Sequence, residues 1–225
     1  MRGIAAARAP PVQNHRVNMG LEIVVVVLAL ALSLVFRPWW ILARAQALLT
    51  PLLATLVLLP WLWALPALHR MPLQLQWSGA VLVLLMLGWP LAVPTLLAVG
   101  VLAWAISPMT AEAALAQSVW QGVVPATLAL GAGAALRRWL PPNPFVYVLG
   151  RGFLTAVVCL FASRLLAQAL GTPLPSSPGA MGMVVAQWLM AWGDAFLTGM
   201  LTAIFVAFKP EWLLTWSDRR YLEKS

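Results

Sequence analysis

Apolar residues run along this chain in long unbroken blocks, separated by clusters of Pro, Gly, Arg and Trp. The first block, Leu21 to Phe36, stops at Arg37-Pro38-Trp39-Trp40. The second spans about Leu48 to Leu68 and is closed by His69-Arg70; its Pro51, Pro60 and Pro66 predict bends. Leu73 to Ile106 is 34 residues, well beyond the roughly 20 of one membrane span. Its break falls at Gly88-Trp89-Pro90, because the residue before a proline disfavours helix. Two short helices follow from this, about 75–88 and 90–106.

The fifth block is Val119 to Leu136, ending in Arg137-Arg138. The sixth, Phe145 to Leu170, follows the stiff Pro141-Pro142-Asn143-Pro144. The seventh, Met181 to Phe208, lies between a Pro/Ser/Gly loop at 172–179 and Lys209-Pro210. None of them alternates polar and apolar residues as a membrane barrel does. Helices satisfy their own backbone groups in lipid. The expected fold is therefore all-α: a polytopic integral membrane bundle of about seven transmembrane helices, or six if the Gly88-Trp89-Pro90 break is a kink in a re-entrant segment. Three parts are expected: a polar basic segment at 1–20, a transmembrane domain at 21–208 and a charged tail at 209–225.

Composition agrees with this reading. Of 225 residues, 62% are apolar and 9% are charged, against about 25% charged in a soluble domain. Too little charge exists to cover a soluble surface, and the apolar content excludes disorder. The net charge of +8 sits mostly at block ends, as topology signals and lipid head-group contacts do. No basic patch with interleaved aromatics suggests nucleic acid. With the N-terminus outside, the inner side holds Arg37, Arg44, Arg137, Arg138, Lys209, Arg219, Arg220 and Lys224. The outer side holds Arg2, Arg8, Arg16 and Arg70. The positive-inside rule then predicts an outside N-terminus and a cytoplasmic C-terminus in a bacterial-type inner membrane. Met19 is an alternative start. Ala43-Arg44-Ala45 after the first block resembles a signal-peptidase site, but that block exceeds a usual signal core and reads better as a retained span. Many of the 13 Trp lie near block ends, among them Trp39, Trp40, Trp61, Trp63, Trp139, Trp212 and Trp216. They suit the membrane interface or a partner surface.

Candidate chemistry is sparse. Cys159 is the sole cysteine, so no internal disulfide is possible. No HExxH, CxxC, GxSxG or phosphate loop occurs. His15 and His69 stand apart; Met181, Met183 and Met190 read as core filler before copper ligands. No enzyme and no resident cofactor are expected. Charges inside spans are functional candidates by default. In the seventh block, Asp194, Thr198 and Thr202 share one helix face. Beside them run Ala191, Ala195, Gly199, Ala203 and Ala207, a small-residue stripe that lets another helix approach closely. Asp194 reads as part of a polar transport path or as the partner of Arg151 or Arg164 in an ion pair. Those arginines lie roughly 220° apart around a helix and cannot face one partner together. Each could instead snorkel to its own interface.

Several segments resemble one family. Gly193-Asp194-Ala195-Phe196-Leu197-Thr198-Gly199-Met200, Phe208-Lys209-Pro210-Glu211-Trp212 and Ser217-Asp218-Arg219-Arg220-Tyr221-Leu222 are similar to the end of CbiM-type permeases. Leu85-Met86-Leu87-Gly88-Trp89-Pro90-Leu91 and Asn143-Pro144-Phe145-Val146-Tyr147-Val148 resemble further segments of them. These are substrate-capture subunits of energy-coupling factor importers for cobalt and nickel. The resemblance covers roughly 75–222. It implies an all-helical membrane fold with an outside N-terminus, a membrane scaffold and cytoplasmic ATPases as partners. The family binds metal through a Met-His start and a further His. Here the chain opens Met1-Arg2, and Gln76 falls near the second His. No metal ligand is carried over. Two functions follow: a CbiM-like transport component, or a non-transporting subunit of the same fold packed into a larger membrane complex.

Overall fold

The computed structural model describes residues 12–68, 77–170, 180–217 and 221, with side chains from Met19 in the first helix and from Val184 in the last. Among the described residues every regular element is helical. α1 (Val12–Val35) is followed, across a left-handed Arg37 (φ 49°), by the short α2 (Pro38–Arg44). The two are bent by 48°. Pro38 at the first turn suits the start of α2. Trp39 and Trp40 are exposed, and Arg44 stacks over the Trp40 ring at 5.4 Å. These are features of an interfacial helix.

A 3₁₀ turn, Gln46–Leu48, leads into α3 (Leu49–Leu68), which runs through Pro60 and Pro66 without ending. α4 (Ala80–Leu87) and α5 (Trp89–Ile106) meet at Gly88. α6 (Ala111–Trp139) and α7 (Val146–Ala169) each include a π-helical stretch, Ser118–Val123 and Val146–Leu154. α8 (Ala180–Phe208) precedes a 3₁₀ turn, Pro210–Trp212, and the tail. Thr110 caps α6, its hydroxyl accepting the Ala113 amide at 3.2 Å. The helix therefore starts eight residues before the expected Val119.

Five helical segments among the described residues are long and apolar enough to cross a membrane, or six with the bent α1–α2 pair. The expected span at 75–88 is the one that differs. Its helix is only 8 residues, about 12 Å long. All eight side chains are buried, against α3, α5, α6, α7 and α8. A continuous apolar run is equally consistent with a lipid-facing span and with a helix enclosed by protein on every side. α4 is the second kind: a half-helix inside the bundle.

Glycines fix both its ends. Gly79 (φ 64°) precedes it and Gly88 (φ 72°) follows it, conformations that cost other residues strain. The expected break at Gly88-Trp89-Pro90 is present. A Cβ on Gly88 would lie 2.7 Å from Leu214 Cδ2, because the tail docks there. Leu214 N donates to Met86 O at 2.9 Å, and the Thr215 hydroxyl to Leu85 O at 2.8 Å. The final carbonyls of α4, which would otherwise lack partners, are thus satisfied by the tail. The Ser33 hydroxyl donates to Pro90 O at 2.6 Å, and the turn before α3 packs on the turn after α8. One end of the bundle therefore gathers Arg37, Arg44, Arg137, Arg138 and Lys209.

Candidate polar site at the half-helix

Asp194 lies midway along α8 and is 6% exposed. Its carboxylate meets the start of α4. Oδ2 accepts the Ser78 amide at 2.5 Å, the Gly79 amide also faces it, and Oδ1 accepts the Thr198 hydroxyl at 3.3 Å. The first amides of a helix have no intrahelical acceptor and carry partial positive charge. A buried carboxylate there satisfies both conditions. This contact stands where one of the two sequence readings put an ion pair. Among the described residues Asp194 forms no ion pair with Arg151 or Arg164. Arg164, half-buried on α7, acts on it only at longer range.

Ser78 joins the surrounding helices. Its hydroxyl donates to Gln121 O at 2.5 Å and accepts the Ala80 amide at 3.1 Å. Its carbonyl accepts Trp63 Nε1 at 3.1 Å. Gln121 Nε2 donates to Trp77 O at 3.2 Å, and Gln117 Nε2 to Trp63 O at 3.1 Å. The non-helical backbone before α4 is thus bonded to α3, α6 and α8. Irregular backbone survives at membrane depth only under such enclosure. Gln121 sits in a π-helical stretch, a local form found often at functional sites. Two more buried atoms border the cluster in sequence: Trp77 Nε1 beside Ser78, and Gln187 Oε1 two turns before Asp194. Neither has a hydrogen-bond partner.

The predicted face of α8 is buried: Thr198 and Thr202 are fully enclosed, and Thr202 donates to Thr198 O at 2.6 Å. The small-residue stripe holds only in part. Ala191, Ala195 and Gly199 are buried, whereas Ala203 and Ala207 are exposed. Four-residue spacing advances about 40° per step, so from Ala191 to Ala207 the stripe turns about 160° off the packed face. Gly199 lies against Phe153, where a Cβ would meet the ring-bearing side chain at 3.1 Å.

The arginines separate as expected. Arg151 does not snorkel outward; it is buried at the tail end, with Nη1 3.5 Å from both Thr215 O and the Tyr221 hydroxyl. Its guanidinium lies 5.3 Å from the Tyr147 ring centre.

Glu22 was not singled out as an intramembrane charge. It is buried and accepts Trp120 Nε1 at 3.0 Å. An acidic residue just inside an apolar block was the available signal. Ser78, Gln117 and Gln121 were also missed, because lone uncharged polar residues at block edges look like loop residues.

Comparison with protein-family models, with curated proteins and with solved structures gives no match. Met1 and Gln76, where the resembled family places its ligands, lie outside the described residues. Among the described residues no three His, Cys, Asp or Glu side chains stand together as a metal site.

Proposed function

We propose that this chain is a non-enzymatic transport component of the membrane, built like a CbiM-type capture subunit, with its basic end in the cytoplasm of a bacterial-type inner membrane. One observation carries the reading: a buried carboxylate midway along α8 meets the N-terminus of an enclosed half-helix. Broken helices whose half-helix ends meet near mid-depth are how many transporters build a substrate site. Trp77 and Gln187, close in sequence to Ser78 and Asp194, each carry a buried polar atom with no hydrogen-bond partner. The five basic residues gathered at one end favour the same orientation as the charge count. The proposed partners are lipids, a membrane scaffold and ATPases. Cobalt or nickel would be cargo, and the described residues offer no ligand set for either.

A specific feature favours a second reading. Both oxygens of Asp194 are engaged by the chain itself, which suits a structural clamp in a non-transporting subunit of a larger complex. Purification of the tagged protein from its native membrane in mild detergent separates the two. ATPase and scaffold chains in the eluate, with uptake of a cargo by cells carrying the operating complex, support transport. A different large complex, with no uptake defect on deletion, overturns it in favour of the structural subunit.

A further inference from the structure

At the basic end of the bundle, a cavity of about 100 Å³ opens between α6, α7 and the tail. Arg137, Arg151, Tyr147, Tyr221, Pro141 and Pro142 line it. Its volume equals roughly three waters of liquid, enough for one compact polyatomic group and too small for a nucleotide. Arg151 is the unusual member. It is 94% enclosed, and its Nε has no hydrogen-bond partner. Gly133 leaves the room in which the guanidinium lies: a Cβ there would sit 3.1 Å from Nε. The Tyr147 ring lies 5.3 Å from the guanidinium, a cation–π contact, and the neutral groups that reach it, a carbonyl and a phenol at 3.5 Å, are at the weak limit of hydrogen bonding. No acidic side chain pairs with it among the described residues. A buried cation of this kind is costly without a counter-charge. Behind the lining, Tyr147 and Tyr221 pack with Trp216, ring centres 4.6–5.3 Å apart.

We propose that this cavity is a binding site for a phosphate group, held between Arg137 and Arg151 with the Tyr221 hydroxyl as a further donor. Arginine forks match phosphate oxygens. Basic pockets between helices at the cytoplasmic face take anionic lipid head groups, so the group comes from a phospholipid or from soluble phosphate. The site stands whether or not the chain transports.

The test uses full-length protein in mild detergent, titrated with phosphatidylglycerol under native mass spectrometry. In parallel it is titrated with inorganic phosphate at constant ionic strength, read by thermal unfolding. Arg137 and Arg138 are neighbouring exposed residues, and only Arg137 lines the cavity. R137Q and R138Q therefore make the same change of charge, inside and outside the site. We expect saturable binding of one equivalent, weakened about tenfold by R137Q through loss of one charged hydrogen bond, and within about twofold of normal in R138Q. R151Q adds a second loss where it folds; R137Q carries the test where it does not. Saturation by lipid alone assigns the group to a phospholipid, and saturation by inorganic phosphate assigns it to solution. Absence of saturable binding of either, or a loss in R137Q no greater than in R138Q, overturns the proposal.

Discussion

Asp194 and Ser78, 116 positions apart, are joined by a 2.5 Å hydrogen bond from a backbone amide to a buried carboxylate. The last long helix thereby holds the start of a half-helix that has only eight residues of its own. Removing the carboxylate leaves buried amides without an acceptor, at about 1–3 kcal/mol for each. D194A should lower the thermal midpoint in detergent strongly. D194N, which keeps an oxygen acceptor, should lower it less. Equal midpoints for wild type and D194A would refute the clamp.

Ser78 makes contacts through its hydroxyl that no alanine can replace. S78A should strand the Gln121 carbonyl and the Ala80 amide and cost about 1–3 kcal/mol. S78T keeps the oxygen and should recover part of the loss. Denaturant titration of the three proteins side by side checks the order.

Gly88 faces two penalties when substituted, one from its positive φ and one from Leu214. G88A should destabilise by about 1–3 kcal/mol. Pairing it with L214A should remove the steric share and leave the backbone share. A double-mutant cycle on unfolding free energy reads the two apart; strict additivity would mean that the tail does not press on this glycine.

The two halves of the α8 stripe should respond differently. G199L pushes into Phe153 and should cost at least about 1–3 kcal/mol, seen as aggregation on size exclusion. A203L points away from the bundle and should stay within about 0.5 kcal/mol of wild type.

Orientation is accessible through introduced cysteines, because the single native one is buried. Cys159 is buried and should not react with a membrane-impermeant maleimide in the folded protein. R138C should react only after the cells are opened. T110C, at the other end of α6, should react in intact cells. The reverse pattern would invert the proposed sidedness.

Much of the helix inventory was legible, because apolar blocks bounded by Arg, Pro and Trp leave few alternatives in lipid. The break at Gly88 was also readable, since proline and glycine act locally. What α4 does was not. Its residues, Ala80 to Leu87, look the same whether lipid or protein surrounds them, and only long-range packing decides. The polar site was half visible. Asp194, Thr198 and Thr202 shared a face by spacing alone, but their partner is a backbone amide, and backbone groups carry no signature in a sequence. For that reason the spacing could suggest an arginine partner for Asp194 but not the backbone amide of Ser78. Within this chain only Ala191, Ala195 and Gly199 of the stripe are buried, because a spacing of four drifts about 40° per step against the 3.6-residue turn.

The order of synthesis gives the α4 clamp a further meaning. Both ends of this half-helix are completed by residues made more than a hundred positions later: its start by Asp194, its close by Leu214 and Thr215. While the ribosome is still producing α5, α6 and α7, the segment has neither its acceptor nor its final donors. A chain stopped before Asp194 would hold most of its apolar blocks and lack the contacts of Asp194, Leu214 and Thr215. Quality control that senses exposed polar backbone in the bilayer would therefore find this protein unfinished until its last helix and tail arrive.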